Sequence, residues 1–400
     1  MKPLTLENAQ ELLLGDTNAL AAEHIEVKDS HGRYTNAEIV AARTQPAADL
    51  SAMDGYAMRV DDLAGPWRVT GESAAGRPFP GQLARGEAIR ISTGALLPAN
   101  AGAVLLQENA LREGNSLSLT CDGEPSPRHV RRAGFDFRTG DILLPPGTRM
   151  GAAQIALALS AGLVELAVHR LPSVAIIDSG DELAPIGATC PSHQIPPSNG
   201  AMLAAMAAPL SSTVDRVGPV PDDVDALLAA FEQASGADLI VTSGGASVGD
   251  HDLMRPALDK WGATIDFWRV AIKPGKPLLV ARRGEQVVLG LPGNPVSSYV
   301  TAFLFMLPLL RKLGGANVCR ILPVAIQARL EQPLPPSGDR REFIRARYAN
   351  GSVTPLGQQD SSALLSLAEC NALIDRNTGC PATPAGQSVR AYLLEDGGIA

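Results

Sequence analysis

The sequence lacks the features that mark several large classes of protein. Its 5 cysteines are odd in number and show no CxxC spacing, so neither a disulfide framework nor a zinc site is predicted. No apolar run reaches the roughly 18 residues of a membrane span, and the first residues do not have the basic and then apolar pattern of a signal peptide. We therefore expect reduced thiols, a cytoplasmic location and no membrane contact.

The chain also has fewer basic than acidic residues. The chain has 34 Lys and Arg against 42 Asp and Glu, a net charge of -8, whereas a nucleic-acid partner would require a basic surface. There is no Gly-x-x-x-x-Gly-Lys-Ser/Thr loop, which disfavours a generic nucleotide hydrolase. Its 400 residues, 45% of them apolar, are instead typical of a folded protein with about two to four domains.

Three loops rich in Gly and Pro follow short apolar runs between residues 237 and 298, and they read TSGGASVGDHD, KPGKP and GLPGNPVS. Small residues at the carboxyl ends of strands let backbone amides approach an anion closely. Lys273 and Lys276 flank the Pro-Gly turn, and a bound oxyanion would offset their mutual repulsion. Each loop alone could be a tight turn beside solvated charges. The three together predict a phosphate or oxyanion site.

Apolar periodicity divides the chain into regions of different secondary structure. Residues 5–22, 35–43 and 151–160 have the spacing of helices, whereas residues 67–144 and the segment from Ile321 onward alternate as strands do. Between Pro172 and Leu313, strands and helices follow one another, which predicts a parallel sheet covered on both faces. The sequence thus predicts a multidomain protein of the α/β plus β class.

These motifs also carry a resemblance to a known family. Together with SAMDGYAM, ISTGALLP and SGDEL, the three loops resemble the molybdopterin molybdenumtransferase family, called MoeA in bacteria and the gephyrin E-domain in animals. The resemblance implies a MogA-like parallel-sheet α/β domain, an inserted small β domain, an elongated helical linker and dimerisation domain, and a C-terminal β barrel. The boundaries that we predict are 172–316 for the molybdopterin-binding α/β domain, 51–141 for the small β domain, 1–50 with 142–171 for the helical domain, and 317–400 for the barrel.

The resemblance implies that this chain has the family's molybdenum-transfer activity. Adenylylated molybdopterin is hydrolysed with release of AMP, and molybdate is inserted into the dithiolene with the help of a divalent cation. Mg²⁺ is the expected cofactor, with molybdate and adenylylated molybdopterin as substrates. The expected partners are a second copy of the chain in a homodimer, the molybdopterin adenylyltransferase and recipient molybdoenzymes.

The resemblance also assigns roles to individual residues. The residues implied to be catalytic are Asp54, Thr93, Asp136, Glu182, Asp222 and Asp252, of which Asp222 and Asp252 would bind the metal. The residues implied to bind substrate are Ser243, Gly244, Gly245, Ser247, Gly249, Arg269, Lys273, Lys276, Pro292, Pro295, Ser297, Arg345 and Ser361. On the residues alone, Asp54 could be a turn former, Asp136 a turn cap and Asp222 a helix N-terminal acid.

Two positions depart from the family pattern. Arg269 stands where the family often has Lys, which keeps the charge and changes its geometry. In the loop 193–199, Pro196 and Pro197 replace an aromatic residue and an acid, so we expect a loop of different shape. Two other functions remain open: a non-catalytic carrier of molybdopterin, which the retained carboxylates argue against, and the adenylylating partner enzyme, which the flanking β modules argue against.

Overall fold

The structure is a computed structural model that describes residues 3–120, 123–187, 189–244 and 253–394. Its first part, up to residue 171, contains two helices, twelve strands and short 3-10 turns. The helices are α1 (Leu6–Gly15) and α2 (Ala152–Ser160). The strands are β1 (Ala22–Glu26), β2 (Ile39–Val40), β3 (Leu50–Ser51), β4 (Gly55–Met58), β5 (Trp67–Ser73), β6 (Glu87–Ile91), β7 (Ala103–Leu106), β8 (Ala110–Glu113), β9 (Ser116–Leu119), β10 (Val130–Arg131), β11 (Ile142–Leu144) and β12 (Glu165–His169).

Strands β4 to β9 form one six-stranded sheet in the order β7-β4-β6-β5-β9-β8. Its pairs are antiparallel except for β5 and β6, which run parallel. Side chains on both faces of this sheet are buried: Met58, Trp67 and Leu105 pack in one core, and Ala57 and Ile89 pack in another. The remaining strands of this part pair two by two, β1 with β12, β2 with β11 and β3 with β10. The region predicted to be a helical linker therefore contains short strand pairs as well as helices.

Residues 35–43 have the spacing of a helix but are extended in the structure. The Thr35 amide donates to the Thr148 carbonyl at 3.0 Å, and the Ala41 amide donates to the Asp141 carbonyl at 2.9 Å. The predicted helix is wrong because these backbone groups find their partners far along the chain, which a local pattern does not reveal.

The middle part is an α/β unit. Its strands are β13 (Ser173–Ser179), β14 (Thr213–Val220), β15 (Leu239–Ser243), β16 (Thr264–Trp268), β17 (Ile272–Lys273), β18 (Leu279–Arg283) and β19 (Gln286–Leu291). Its helices are α3 (Ser198–Ala207), α4 (Val224–Gln233), α5 (Met254–Trp261), α6 (Pro295–Thr301) and α7 (Leu307–Leu313). The sheet order is β14-β13-β15-β19-β18-β16; the first four strands are parallel, and β18 and β16 are antiparallel additions at one edge.

Both faces of this sheet are covered, as the alternation of strands and helices predicts. On β13, Val174 and Ile176 pack in one core with α3 and the helix after β19, whereas Ala175 and Ile177 pack in a second core with α4 and α5. The period of two along the strand thus separates two hydrophobic layers.

One long helix lies at the centre of the larger core. Helices α6 and α7 are joined by the π-helical segment Ala302–Met306, so that Pro295–Leu313 is continuous over 19 residues. It is long and apolar enough to cross a membrane, and 89% of its most apolar window is buried inside the molecule. Burial of this kind is typical of a core helix.

The last part is a closed β barrel. Its strands are β20 (Ala325–Leu330), β21 (Arg341–Ala349), β22 (Ser352–Pro355), β23 (Ala372–Arg376) and β24 (Ser388–Leu393), with helix α8 (Leu364–Glu369) between β22 and β23. The barrel closes because β23 pairs with both β24 and β21. Strand β17 of the α/β unit adds to β21 in parallel. The predicted C-terminal barrel and the fold class as a whole are confirmed.

Candidate active site

Two neighbouring cavities collect most of the predicted substrate-binding residues that the structure describes. We call them the sheet-end cavity, at the carboxyl ends of β13, β15 and β19, and the barrel-side cavity, between the Lys273 turn and the barrel. Their volumes are about 650 Å³ and about 670 Å³, within the usual range for small-molecule sites. They share Pro277 and Ser297 in their walls and are therefore adjacent.

The sheet-end cavity lies where a parallel sheet is expected to bind ligands. Predicted residues that line it are Glu182, Ser243, Gly244, Pro292, Pro295 and Ser297. The backbone of Gly244 has a φ of +103°, and an added Cβ would lie 2.3 Å from the Ser179 carbonyl oxygen, so a glycine is required there. Ser179 also lines the cavity, and its hydroxyl is buried without a hydrogen-bond partner among the described residues.

A buried carboxylate forms part of the same wall. Asp178, at 2% exposure, lines the cavity and accepts a hydrogen bond from Arg216 Nη2 at 2.7 Å. The same nitrogen donates to the Pro197 carbonyl at 3.1 Å. A Cβ at Gly200 would lie 2.0 Å from Asp178 Oδ2, so the first turn of α3 packs directly on the carboxylate. This contact fixes the helix start against the sheet end.

The loop with the two prolines is tied to the strand end that carries Glu182. The Ile195 amide donates to the Glu182 carbonyl at 2.7 Å, and the Ala184 amide donates to the Ile195 carbonyl at 2.9 Å. Pro196 and Pro197 line the sheet-end cavity beside Ile195. The departure from the family pattern therefore lies in a cavity wall, where it presents apolar rings to the ligand.

The barrel-side cavity is rich in cations. Predicted residues in its wall are Lys273, Lys276, Ser297, Arg345 and Ser361, and Arg340 joins them. The Asn294 side-chain amide donates to the Ser361 hydroxyl at 3.0 Å, and the Val296 amide donates to the Ser361 carbonyl at 3.0 Å. These bonds hold the barrel loop against the start of α6.

The two lysines of this cavity differ in their surroundings. Lys273 Nζ lies 3.1 Å from Glu342 Oε1, and Glu342 is on β21 directly opposite Lys273 in the β17–β21 pair. The positive charge of Lys273 is thus already compensated by a carboxylate, so repulsion between the lysines does not by itself require an anion. Lys276 is exposed and makes no ion pair within the described part of the chain.

Arg345 is the most buried cation in the wall. It is 1% exposed, and its Nη2 donates to the carbonyl oxygens of Gln358 at 2.8 Å and Asp360 at 2.9 Å. Its Nε is buried and has no partner among the described residues. Burial lowers the pKa of the guanidinium, and the nearby Cys370 and Asp360 oppose that shift. A cation held this way in a cavity wall is suited to an oxyanion.

Three predicted catalytic residues lie in the first part of the chain, outside the walls of both cavities. Asp54 precedes β4 and Thr93 follows β6, and the antiparallel pairing of these strands brings them together. The Thr93 amide and hydroxyl donate to Asp54 Oδ1 at 2.7 and 3.1 Å and hold the pKa of Asp54 below its usual range. Asp136 is exposed, and its amide donates to the Gln45 carbonyl at 3.1 Å.

Other predicted site residues lie beside the cavities or outside the described residues. Asp222 is exposed, and its amide donates to Asp181 Oδ1 at 3.1 Å. Arg269 has a φ of +100° and stacks on the Trp268 ring at 5.1 Å, so it belongs to the sheet edge. Gly245, Ser247, Gly249 and Asp252 lie outside the described residues. Within the described ranges, no group of three or more His, Cys, Asp or Glu side chains could hold a metal.

Comparison with known proteins identifies the family. The MoeA N-terminal region (domain I and II) matches residues 4–162, the probable molybdopterin binding domain matches residues 175–312, and the MoeA C-terminal region (domain IV) matches residues 327–394. A molybdopterin molybdenumtransferase of Haemophilus influenzae is 32% identical over 381 residues, which cover 93% of this chain and 94% of that protein. The chain belongs to the molybdopterin molybdenumtransferase family.

Other relatives agree with this assignment. The molybdopterin molybdenumtransferase of Bacillus subtilis is 31% identical over 94% of this chain and 90% of its own length. The crystal structure of the molybdopterin biosynthesis MoeA protein from Pyrococcus horikoshii OT3 superimposes with a TM-score of 0.83 at 27% identity, over 98% of this chain and 100% of that chain. The predicted family is confirmed.

Several residues of this MoeA-family site were missed by sequence reasoning. Asp178 ends an otherwise apolar run, VAIID, and a charged residue at that point of a buried strand is the signal that could have revealed it. Asn294 lies inside the GLPGNPVS motif. Glu342 and Arg340 come from a barrel strand and the segment before it, and no local pattern connects them with the Lys273 turn.

Proposed function

We propose that this chain is a molybdopterin molybdenumtransferase, which hydrolyses adenylylated molybdopterin with release of AMP and inserts molybdate to form the molybdenum cofactor. The observation that supports it most is the cationic barrel-side cavity, which adjoins the sheet-end cavity through Ser297 and Pro277. The family assignment supplies the reaction, and the cavities supply room for an oxyanion next to a larger ligand.

In this proposal the barrel-side cavity receives molybdate. Lys276 and Arg345 bring positive charge, and the hydroxyls of Ser297 and Ser361 can donate hydrogen bonds to its oxygens. The guanidinium of Arg345 is held in place by its hydrogen bonds to the Gln358 and Asp360 carbonyls. Donors that are fixed before binding cost no reorganisation when the anion arrives.

The sheet-end cavity receives the pterin in the same proposal. Its wall carries the carboxylates of Asp178 and Glu182, which can accept hydrogen bonds from the amino and ring N–H groups of a pterin. Asn199 donates to the Gly293 carbonyl at 2.6 Å and so connects the start of α3 with the loop after β19. The apolar Ile195, Pro196 and Leu364 can cover the ring faces.

Mg²⁺ remains a proposal as the resident cofactor. The chemistry that it supplies is charge neutralisation at the phosphates of the adenylylated substrate. Asp222 fits because it is exposed beside a second carboxylate, Asp181, and Mg²⁺ commonly takes one or two protein carboxylates with substrate phosphates and waters. Asp252 would join them by its motif position. Three other expectations stay predictions: that the chain forms a homodimer, that it is located in the cytoplasm, and that it interacts with the adenylyltransferase and with recipient molybdoenzymes.

The decisive experiment combines the purified chain with adenylylated molybdopterin, Mg²⁺ and molybdate, and measures AMP release and cofactor formation together. Both products should accumulate in parallel. Pterin binding without AMP release would show that the chain is a carrier and would contradict the proposed activity. Sedimentation of the purified chain tests the homodimer.

Lys276→Ala tests the position of molybdate. Removal of one charge-assisted hydrogen bond should cost about 1–3 kcal/mol, so half-maximal insertion should require roughly 5 to 160 times more molybdate at saturating pterin. Binding of the adenylylated pterin should be nearly unchanged. Lys260→Ala, which removes an exposed lysine that pairs with Asp225, serves as the control. Weakened pterin binding with an unchanged molybdate requirement would instead place Lys276 at the substrate's phosphates.

A further inference from the structure

A third cavity lies on another side of the α/β unit, and its wall shares no described residue with the two cavities of the candidate active site. We call it the arginine cavity. Its polar wall includes His31, Arg149, Arg311 and Arg320, and its apolar wall includes Met206 and Leu307. The volume is about 630 Å³, sufficient for a small organic molecule. None of its described lining residues is Asp or Glu.

The three arginines of this cavity are close to one another. Burial raises the pKa of the Tyr34 phenol, whereas the charges of Arg311, Arg149 and Arg320 act to lower it. All three arginines are therefore near the same buried ring. Arg311 is 1% exposed and donates from Nη1 to the Ile321 carbonyl at 3.0 Å. Proximity of Arg149 and burial both act to lower the pKa of Arg311.

Arg149 is the arginine whose environment indicates a ligand. Its Nε is buried and has no hydrogen-bond partner among the described residues. In the same part of the chain, neither Arg149 nor Arg320 lies within ion-pair distance of a carboxylate. Arg149 is half-buried and Arg320 is exposed, so both side chains keep their positive charge beside the cavity. An anion between them would supply the opposite charge that the described residues of the cavity wall do not.

We propose that the arginine cavity binds a phosphate monoester with an apolar body, the phosphate lying between Arg149 and Arg320 and the body packing on Met206 and Leu307. Guanidinium groups suit a phosphate because they donate two parallel hydrogen bonds to its oxygens. The apolar wall favours an ester over inorganic phosphate, because burial of its body contributes about 25 cal/mol per Å². The site is separate from the candidate active site and does not depend on the proposed transferase activity.

Calorimetric titration of the full chain with phenyl phosphate tests the proposal, with inorganic phosphate and phenol as the two partial ligands. The titrations use the Lys276→Ala variant, in which phosphate binding in the barrel-side cavity should be weakened. Phenyl phosphate should bind more tightly than either partial ligand. The affinity should fall as salt is added, because the attraction is electrostatic.

Arg149→Ala should weaken phenyl phosphate binding about tenfold or more. Arg320→Ala should also weaken it, and because Arg320 is exposed this substitution does not put folding at risk. Arg128→Ala removes an exposed arginine outside the cavity wall and should have no effect. Equal affinities of Arg149→Ala, Arg320→Ala and the parent would overturn the proposal. So would binding that appears only after the chain is ended at Leu394, because the chain's own last residues would then be the occupant.

Discussion

Glu342→Gln should tighten molybdate binding in the barrel-side cavity, because Glu342 competes with the oxyanion for Lys273. The carboxylate lies 3.1 Å from Lys273 Nζ and 3.9 Å from Arg376 Nη1, and its side chain is 14% exposed. The glutamine keeps the shape and removes the negative charge. Lys273 in the cavity wall then lacks its carboxylate, and so does the nearby Arg376.

The magnitude follows from the exposure of the pair. At about 4 Å and an effective dielectric near 20, one charge pair is worth on the order of 4 kcal/mol before solvation is subtracted. The Lys273 side chain is 59% exposed, so the measured value should be that of an exposed pair, about 0.2–1 kcal/mol. We therefore expect half-maximal insertion at a molybdate concentration lower by a factor of up to about five.

The assay is a molybdate titration at saturating adenylylated pterin, carried out at low and high salt. The difference between Glu342→Gln and the parent should shrink at high salt, because Lys273 is exposed to screening ions. Glu331→Gln, at an exposed barrel position outside the cavity wall, is the matched control. If Glu342→Gln needs as much molybdate as the parent, or more, the competition between carboxylate and oxyanion does not exist.

Two further predictions concern stability. Asp375→Asn should lower the free energy of unfolding in urea by about 3–5 kcal/mol, because the Asp375 side chain is 1% exposed and accepts two hydrogen bonds from Arg341 at 2.6 Å. The control is Asp339→Asn, at a side chain that is 98% exposed, and it should change the free energy of unfolding little. Equal losses in the two variants would contradict the role of burial. Burial alone would raise the pKa of Asp238, but hydrogen bonds from Arg170 and its neighbours lower it below its usual range. The resulting stabilisation is complete above the unfolded carboxyl value of about 4 and is lost as the pH falls toward the depressed folded value. Asp238→Asn should therefore flatten the decline in unfolding free energy as the pH falls below about 4, and an unchanged slope would refute this.

Much of the fold was predictable because its signals are local. The run Leu239-Ile240-Val241 followed by small residues indicates a buried strand with a ligand loop, and Thr242 and Ser243 continue that strand. The alternation after Ile321 likewise predicts strands. The helix predicted for residues 35–43 is wrong because the spacing of their apolar side chains fits a helix as well as an extended segment. Hydrogen bonds to the distant Asp141 and Thr148 carbonyls determine that the segment is not helical.

The cations of the barrel-side cavity were predictable from the sequence, and the carboxylate that pairs with Lys273 was not. Motifs of the family point to Lys273, Lys276 and Arg345, and the structure places all three around one cavity. Glu342 follows Lys273 by 69 positions, and their contact depends on the pairing of β17 with β21. Pairing between strands so far apart in sequence is set by tertiary packing, which residue spacing does not encode.

The pairing of β17 with β21 also has a mechanical consequence. Backbone bonds such as that from the Arg341 amide to the Ala271 carbonyl, at 2.9 Å, join the turn that carries Lys273 to the strand that carries Arg345. Because β17 belongs to the barrel's sheet although its chain neighbours belong to the α/β unit, the turn that carries Lys273 moves together with the strand that carries Arg345. Exchange of these amides with deuterium should therefore be slow.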